Sequence, residues 1–230
     1  MTTRHVLGLV GGVLYPVGMF GVLLFVPAWT LDWWRAWVFL GTIFVASAAT
    51  MLGIFPSRAD LLDERYKPPF QKGQPLADRV LLVALVATFY ALIVFIPLDV
   101  FRFRLLGRPG LPVATLGLLL FVAGWAIIAL ALRANAFAAP VVRHQEERGH
   151  VVVDRGPYRV VRHPMYAGAI PVAVGMALWL GSYAAAMLAV APIAVLVLRV
   201  RAEERFLRRE LPGYDAYTQQ VRWRLIPFIW

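Results

Sequence analysis

Three stretches of this chain combine side chains that can bind and orient a ligand. GPYRVVRHPMYAG at 156–168 carries two Arg, one His and two Tyr. RVRAEERF at 199–206 places Arg199 and Glu203 four residues apart, hence on one helical face, with Glu204 beside them. The tail PGYDAYTQQVRWRLIPFIW at 212–230 is aromatic enough to return to an apolar surface. Together these stretches would supply hydrogen-bond donors, an acidic pair and aromatic walls. Each also has a plainer reading. His163 could simply start a helix before Pro164, Tyr158 and Tyr166 could be interfacial anchors, and Arg199–Glu203 could be an ordinary i,i+4 ion pair. The Glu203-Glu204 pair is harder to dismiss, because two acids beneath an apolar helix need a cationic partner.

Much other chemistry is excluded. There is no cysteine, hence no thiolate nucleophile, disulfide, Cys-ligated zinc or iron–sulfur cluster. His144 and His150 lack a suitably spaced third ligand, so no metal site is expected. Neither G-x-G-x-x-G nor a P-loop occurs, nor any alternation of strands and helices. A nucleotide-like cofactor would have to be held by another architecture.

The elements that position these residues belong to a membrane protein. The 230 residues are 60% hydrophobic and 16% charged, against about 45–50% and about 25% in soluble domains. Val6–Leu31, Ala36–Ser57, Val80–Leu98, Pro109–Leu132 and Pro164–Leu198 contain no Asp, Glu, Lys or Arg. Apolar runs near 20 residues span a bilayer, and in lipid they must be helices. The last run, at 35 residues, is too long for one crossing. Gly181-Ser182 divides it into a hairpin of about Tyr166–Leu180 and Tyr183–Arg199. The expected fold is therefore all-α, a polytopic membrane protein of five to six transmembrane helices. The first part, residues 1–132, holds the N-terminal spans, and the second, residues 133–230, the hairpin and the candidate site. HVVV at 150–153 reads as a short extended piece, and 56–79 as a solvated loop on the headgroups.

The net charge is +10, from 23 Lys and Arg against 13 Asp and Glu. With six crossings only Arg35, Arg102, Arg104 and Arg108 fall on one side; every other Lys and Arg falls opposite. The positive-inside rule then puts both termini and the 133–165 segment in the cytoplasm, with the cell inner membrane as the expected location. Trp29, Trp33, Trp34 and Trp37 would mark the outer aromatic belt. Nucleic acid is not an expected partner, because the Arg residues are scattered over span ends without a basic helix or an aromatic platform.

HVVVDRGPYRVVRHPMYAG, followed by RAEERF and Tyr-x-x-Tyr, resembles the isoprenylcysteine carboxyl methyltransferase family and its phospholipid methyltransferase relatives. The resemblance covers roughly Pro140–Phe228. It implies a cytoplasmic C-terminal site for S-adenosyl-L-methionine, held by His150, Val151, Val152, Val153, Gly156, Tyr158, His163, Tyr166, Glu203 and Glu204. Arg199 would meet the acceptor, making Arg199 and Glu203 the expected catalytic pair. Eukaryotic members often carry Gln seven residues before the HVVV histidine. Arg143 stands there in this chain, so either that cofactor contact differs or the subfamily does. The implied activity is methyl transfer to a lipophilic or prenylated substrate among the membrane lipids, most simply a prenylcysteine-like carboxylate. A carboxylate can attack a sulfonium methyl directly, so alignment and exclusion of water suffice. The competing readings are methylation of a phospholipid amine or a thiol, a reductase resembling sterol reductases, and a non-enzymatic membrane protein such as a transporter.

Overall fold

Helix is the conformation that satisfies an apolar backbone internally, and the computed structural model contains no strand among its described residues, 3–71, 73–142 and 145–230. In chain order the helices are α1 (Thr3–Ala28), α2 (Trp34–Ile54), α3 (Ala59–Arg65), α4 (Leu76–Leu98), α5 (Leu111–Ala134), α6 (Pro164–Leu180), α7 (Tyr183–Leu188), α8 (Val190–Glu210) and α9 (Tyr214–Gln220). Among the described residues five helical segments are long and apolar enough to cross a membrane: His5–Ala28, Trp34–Ile54, Leu76–Phe103, Leu111–Ala134 and Tyr183–Glu210. Their outward faces stay apolar and uncovered, with Leu7, Leu14, Val22, Val45, Leu52 and Leu119 among the exposed residues. Lipid covers such faces; water does not. The chain is thus an all-helical, multi-pass membrane protein.

The long final run folds as a hairpin. Gly181 ends α6 at φ +106°, a left-handed position suited to glycine. Ser182 caps α7 by accepting from the Ala185 N–H at 2.8 Å and donates to the buried Asp99 carboxylate at 2.6 Å. The second leg is longer than its sequence reading, continuing past Arg199 to Glu210. Residues 199–210 are almost entirely Arg, Glu, Leu and Ala, good helix formers that carry the helix beyond the apolar segment. A one-residue interruption at Ala189 separates α7 from α8. Pro192 explains it, since proline has no N–H for the Leu188 carbonyl.

Although only 17 residues long, α6 reaches the far end of the bundle, where Trp179 donates to the Arg35 carbonyl at 2.8 Å. It lies against α5 with almost no side chain between them. A methyl group on Gly124 would sit 2.5 Å from the Gly168 carbonyl oxygen, and one on Gly168 the same distance from that of Gly124. Gly117 and Gly175 meet in the same reciprocal way. Small residues permit this approach where lipid gives helices no hydrophobic reason to associate.

One end of the bundle gathers the start of α1, the 55–75 connection, the 135–163 segment and the C-terminal tail. Tyr66 donates to the Gly8 carbonyl at 2.7 Å, and Arg58 to that of Arg133 at 3.2 Å. The 55–75 connection is not the plain solvated loop read from its polarity. Leu61 and Leu62 of α3 are buried with Leu9, Phe55 and Leu132. At the other end, Trp29, Trp34 and Trp37 are exposed, whereas Trp33 is buried edge-on to Phe25 and Phe101.

Candidate functional site

The described residues of the 135–163 segment have no regular structure beyond two short 3-10 turns, so side chains must hold its shape. Asn135, just past α5, accepts from the Phe137 N–H at 2.8 Å and donates to the Tyr158 hydroxyl at 3.1 Å. Gln145 is almost fully buried; it donates to the Phe137 carbonyl at 2.8 Å and accepts from Arg148 at 2.5 Å. These bonds satisfy polar groups that would otherwise be costly inside a fold. The His150 ring lies 4.6 Å from that of Phe137. HVVV at 150–153 joins no sheet; Val152 packs against the apolar side of α9. Gly156 opens the second 3-10 turn at φ +58°.

Beneath this segment lies a buried charge centre. Glu204 accepts from Arg162 Nε at 2.6 Å and from Arg224 Nε at 2.8 Å, with His163 Nε2 at 3.3 Å. Arg162 also donates to the carbonyls of Val221 and Arg222. The backbone N–H groups of Arg162 and His163 donate to the carbonyls of Trp223 and Arg224. The tail is thereby fastened to the residues preceding α6. Pro164 occupies the first position of that helix, where a missing N–H costs nothing. His163 is the residue just before it and stacks on Tyr166, ring centroids 5.8 Å apart.

A second centre joins α4 to α8. Arg199 Nε donates to Asp78 Oδ1 at 2.9 Å, and its Nη2 to the Pro140 carbonyl at 2.6 Å. Asp78 is buried and also accepts from the Val142 N–H and from Gln74. Arg199 therefore pairs with Asp78 rather than with its i,i+4 neighbour Glu203. Glu203 instead accepts from the Tyr166 hydroxyl at 2.8 Å, and the Arg199 guanidinium lies 5.8 Å from the centre of the Tyr166 ring.

Between these centres is a cavity of about 250 Å³. His150, Val151, Val152, Val153, Tyr158 and His163 line it, as do Tyr166, Arg199 and Glu203. Of the other residues marked in the sequence, Gly156 supports the wall and Glu204 serves the charge centre behind it. Arg143 and His144 lie outside the described residues. Sequence reasoning missed Arg65, Asn135, Gln145 and Asp78. It quoted Tyr214 and Tyr217 in the tail without placing them at the site. Tyr217 donates to the Tyr158 carbonyl at 2.7 Å. The buried Tyr214 hydroxyl meets no hydrogen-bond partner among the described residues. Burial raises the Tyr214 and Tyr217 hydroxyls well above the usual tyrosine range. It pushes Tyr158 up to about 12, partly offset by the Asn135 hydrogen bond. All three are neutral hydroxyls at physiological pH.

Fold and cavity together describe a multi-pass membrane protein with a cavity of charged, aromatic and apolar side chains at one end of its bundle. Residues 113–212 match the phospholipid methyltransferase family model. That stretch, less than half of the chain, is thus similar to the family of the isoprenylcysteine carboxyl methyltransferase-like membrane methyltransferases, in agreement with the sequence resemblance. No curated protein matches the chain. The matched stretch supplies the cavity from Asn135 to Leu211. Arg65 and Leu82 on one side of it, and Tyr214 and Tyr217 on the other, come from outside.

Proposed function

We propose that this membrane methyltransferase takes its methyl group from S-adenosyl-L-methionine and transfers it to a lipophilic acceptor, most simply a prenylcysteine-like carboxylate. The observation that carries the donor assignment is the state of the cavity's polar groups. Glu203 lines it with no cation within salt-bridge distance among the described residues, so it can receive the donor's ammonium group. The orphaned Tyr214 hydroxyl is available to a polar ligand atom, and a buried polar group without a partner costs about 1–3 kcal/mol. The half-exposed apolar residues Val152 and Val153 and the neutral tyrosines offer surfaces for a flat base. When bound, the donor supplies an electrophilic methyl on a sulfonium sulfur.

The protein's share of the work is alignment and exclusion of water. Arg199 is fixed by Asp78 and the Pro140 carbonyl. Its Nη1 makes no hydrogen bond to a described residue, leaving donors for an acceptor carboxylate. That carboxylate needs no general base, being already the nucleophile. Arg199 would hold that carboxylate's oxygen in line with the methyl group that a bound donor would supply. Leu82 of α4 and Met165 of α6 bring apolar side chains to the same cavity, the surfaces a lipid-anchored acceptor would meet. On the positive-inside argument this end of the bundle, with both termini, faces the cytoplasm of the cell inner membrane.

The family model's own description favours a second reading, methylation of a phospholipid amine. Incubating the protein in nanodiscs with methyl-labelled donor and either N-acetyl-farnesylcysteine or phosphatidylethanolamine separates the two. An ester releases labelled methanol in alkali, whereas an N-methyl product keeps its label. Alkali-labile product from the prenylcysteine alone is expected. Stable label in phosphatidylethanolamine alone would replace the acceptor assignment.

A further inference from the structure

Among the described residues three arginines line the cavity, and two of them are paired with a carboxylate. Arg162 has Glu204 and Arg199 has Asp78. Arg65, the last residue of α3, makes one side-chain hydrogen bond among the described residues, from Nη1 to the Ala138 carbonyl at 3.2 Å. No carboxylate lies within salt-bridge distance of it among the described residues. Its side chain is half-buried, and burial pulls the guanidinium below the usual arginine range, the neighbouring Tyr66 and Tyr158 partly offsetting this. Arginine does not give up its proton in a protein. The desolvation therefore appears as an uncompensated charge, costly unless something anionic arrives.

That something has a position. Glu203 is the complementary case, an acid on the cavity wall that accepts, among the described residues, from the Tyr166 hydroxyl alone. Both charges act on the Tyr158 hydroxyl, Glu203 raising its pKa and Arg65 lowering it, yet the two do not pair with each other. One unpaired cation and one unpaired anion thus flank the same hydroxyl in one cavity. A zwitterion fits such an arrangement, its ammonium on the acid and its carboxylate on the guanidinium. Arginine presents a planar fork of donors matched to a carboxylate. The segment carrying Arg65 is held over the cavity at three points: Arg148 on Asp60, Tyr66 on the Gly8 carbonyl and Arg58 on the Arg133 carbonyl.

We propose that Arg65 is the carboxylate-binding residue of the methyl-donor site, and that the donor's amino-acid end lies between Arg65 and Glu203. This rests on the methyl-donor reading above and adds a residue from outside the family-matched stretch. Its test is titration calorimetry in nanodiscs with S-adenosylhomocysteine and with its decarboxylated analogue, which keeps the ammonium, thioether and adenosine. Wild type should favour the carboxylate-bearing ligand by roughly ten- to a hundredfold, the usual worth of a charge-assisted bond. R65Q should erase that preference by weakening S-adenosylhomocysteine alone. R65K, which keeps the charge without the fork, should retain part of it. If R65Q does not fold, the wild-type preference and its reduction in R65K carry the test. Equal weakening of both ligands in R65Q would mean that Arg65 only shapes the cavity. An undiminished preference in R65Q, with a raised KM for the acceptor, would mean that Arg65 serves the acceptor's anion. Either overturns the assignment, as does equal binding of the two ligands by wild type, which would leave the donor reading standing. Binding of neither ligand by wild type would end both.

Discussion

Glu203 and Glu204 are adjacent in sequence and differ in duty. Glu204 is buried and holds Arg162, Arg224 and His163 together, whereas Glu203 is spent on a single tyrosine hydroxyl. Substituting them should therefore separate stability from binding. Glu204→Gln leaves Arg162 buried without a counter-charge, a loss of about 3–5 kcal/mol for a broken buried pair. Its melting temperature in detergent should fall sharply. Glu203→Gln should melt close to wild type yet bind S-adenosylhomocysteine roughly ten- to a hundredfold more weakly by calorimetry. Matching melting losses in the two variants would contradict this division. Arg199→Ala is a poor probe of the acceptor, because it strands the buried Asp78. Arg199→Lys keeps a charge for Asp78 and removes the fork. Donor affinity should survive it while turnover falls about tenfold or more. At this scale the motif residues were readable in the sequence because they are local. Asp78 and Arg65 were not. Asp78 stands 121 positions from Arg199, and nothing in the sequence around either residue distinguishes it from a helix-end charge.

At the scale of elements, the hairpin was legible because Gly181-Ser182 interrupts an apolar run too long for one helix. The length of its second leg was not, since the reading ended helices where charge began, whereas α8 continues through charged residues that are good helix formers and that pair with Asp78, Arg162 and Arg224. Nor was the α5–α6 contact foreseen. Glycines 117, 124, 168 and 175 look like scattered small residues until the two helices are laid antiparallel. Their importance can be measured against a control. Gly41 of α2 has open space where a methyl would go, while at Gly168 it would meet the Gly124 carbonyl and Ile128. Gly168→Ala should destabilise by about 1–3 kcal/mol, the usual cost of overpacking. Gly41→Ala should be neutral or slightly stabilising, because alanine is the better helix former. Thermal unfolding of the two variants in one detergent decides the matter, and equal melting points would mean that the close approach is not needed.

For the whole molecule, composition and charge spacing were enough for a multi-pass helical protein, and the alternation of loops put the candidate residues at one end. The assembly of the cavity was not legible, because its walls come from α3, α4, the 135–163 segment, α6, α8 and α9. Its orientation is open to a direct check, since the chain has no cysteine to remove. Single-cysteine variants at Phe70 and Glu146 should react with a membrane-impermeant maleimide only after the cytoplasmic side is opened, and one at Leu106 should react in intact cells. The reverse pattern would invert the molecule. The central claim, that the cavity takes a methyl donor, is tested most directly by thermal stabilisation of the purified wild-type protein. S-adenosylhomocysteine at a hundred times its dissociation constant should stabilise the fold by about 2.7 kcal/mol, seen as a saturable rise in melting temperature, with no rise from NADPH. A saturable rise with NADPH and none with S-adenosylhomocysteine would contradict the account and favour the reductase reading.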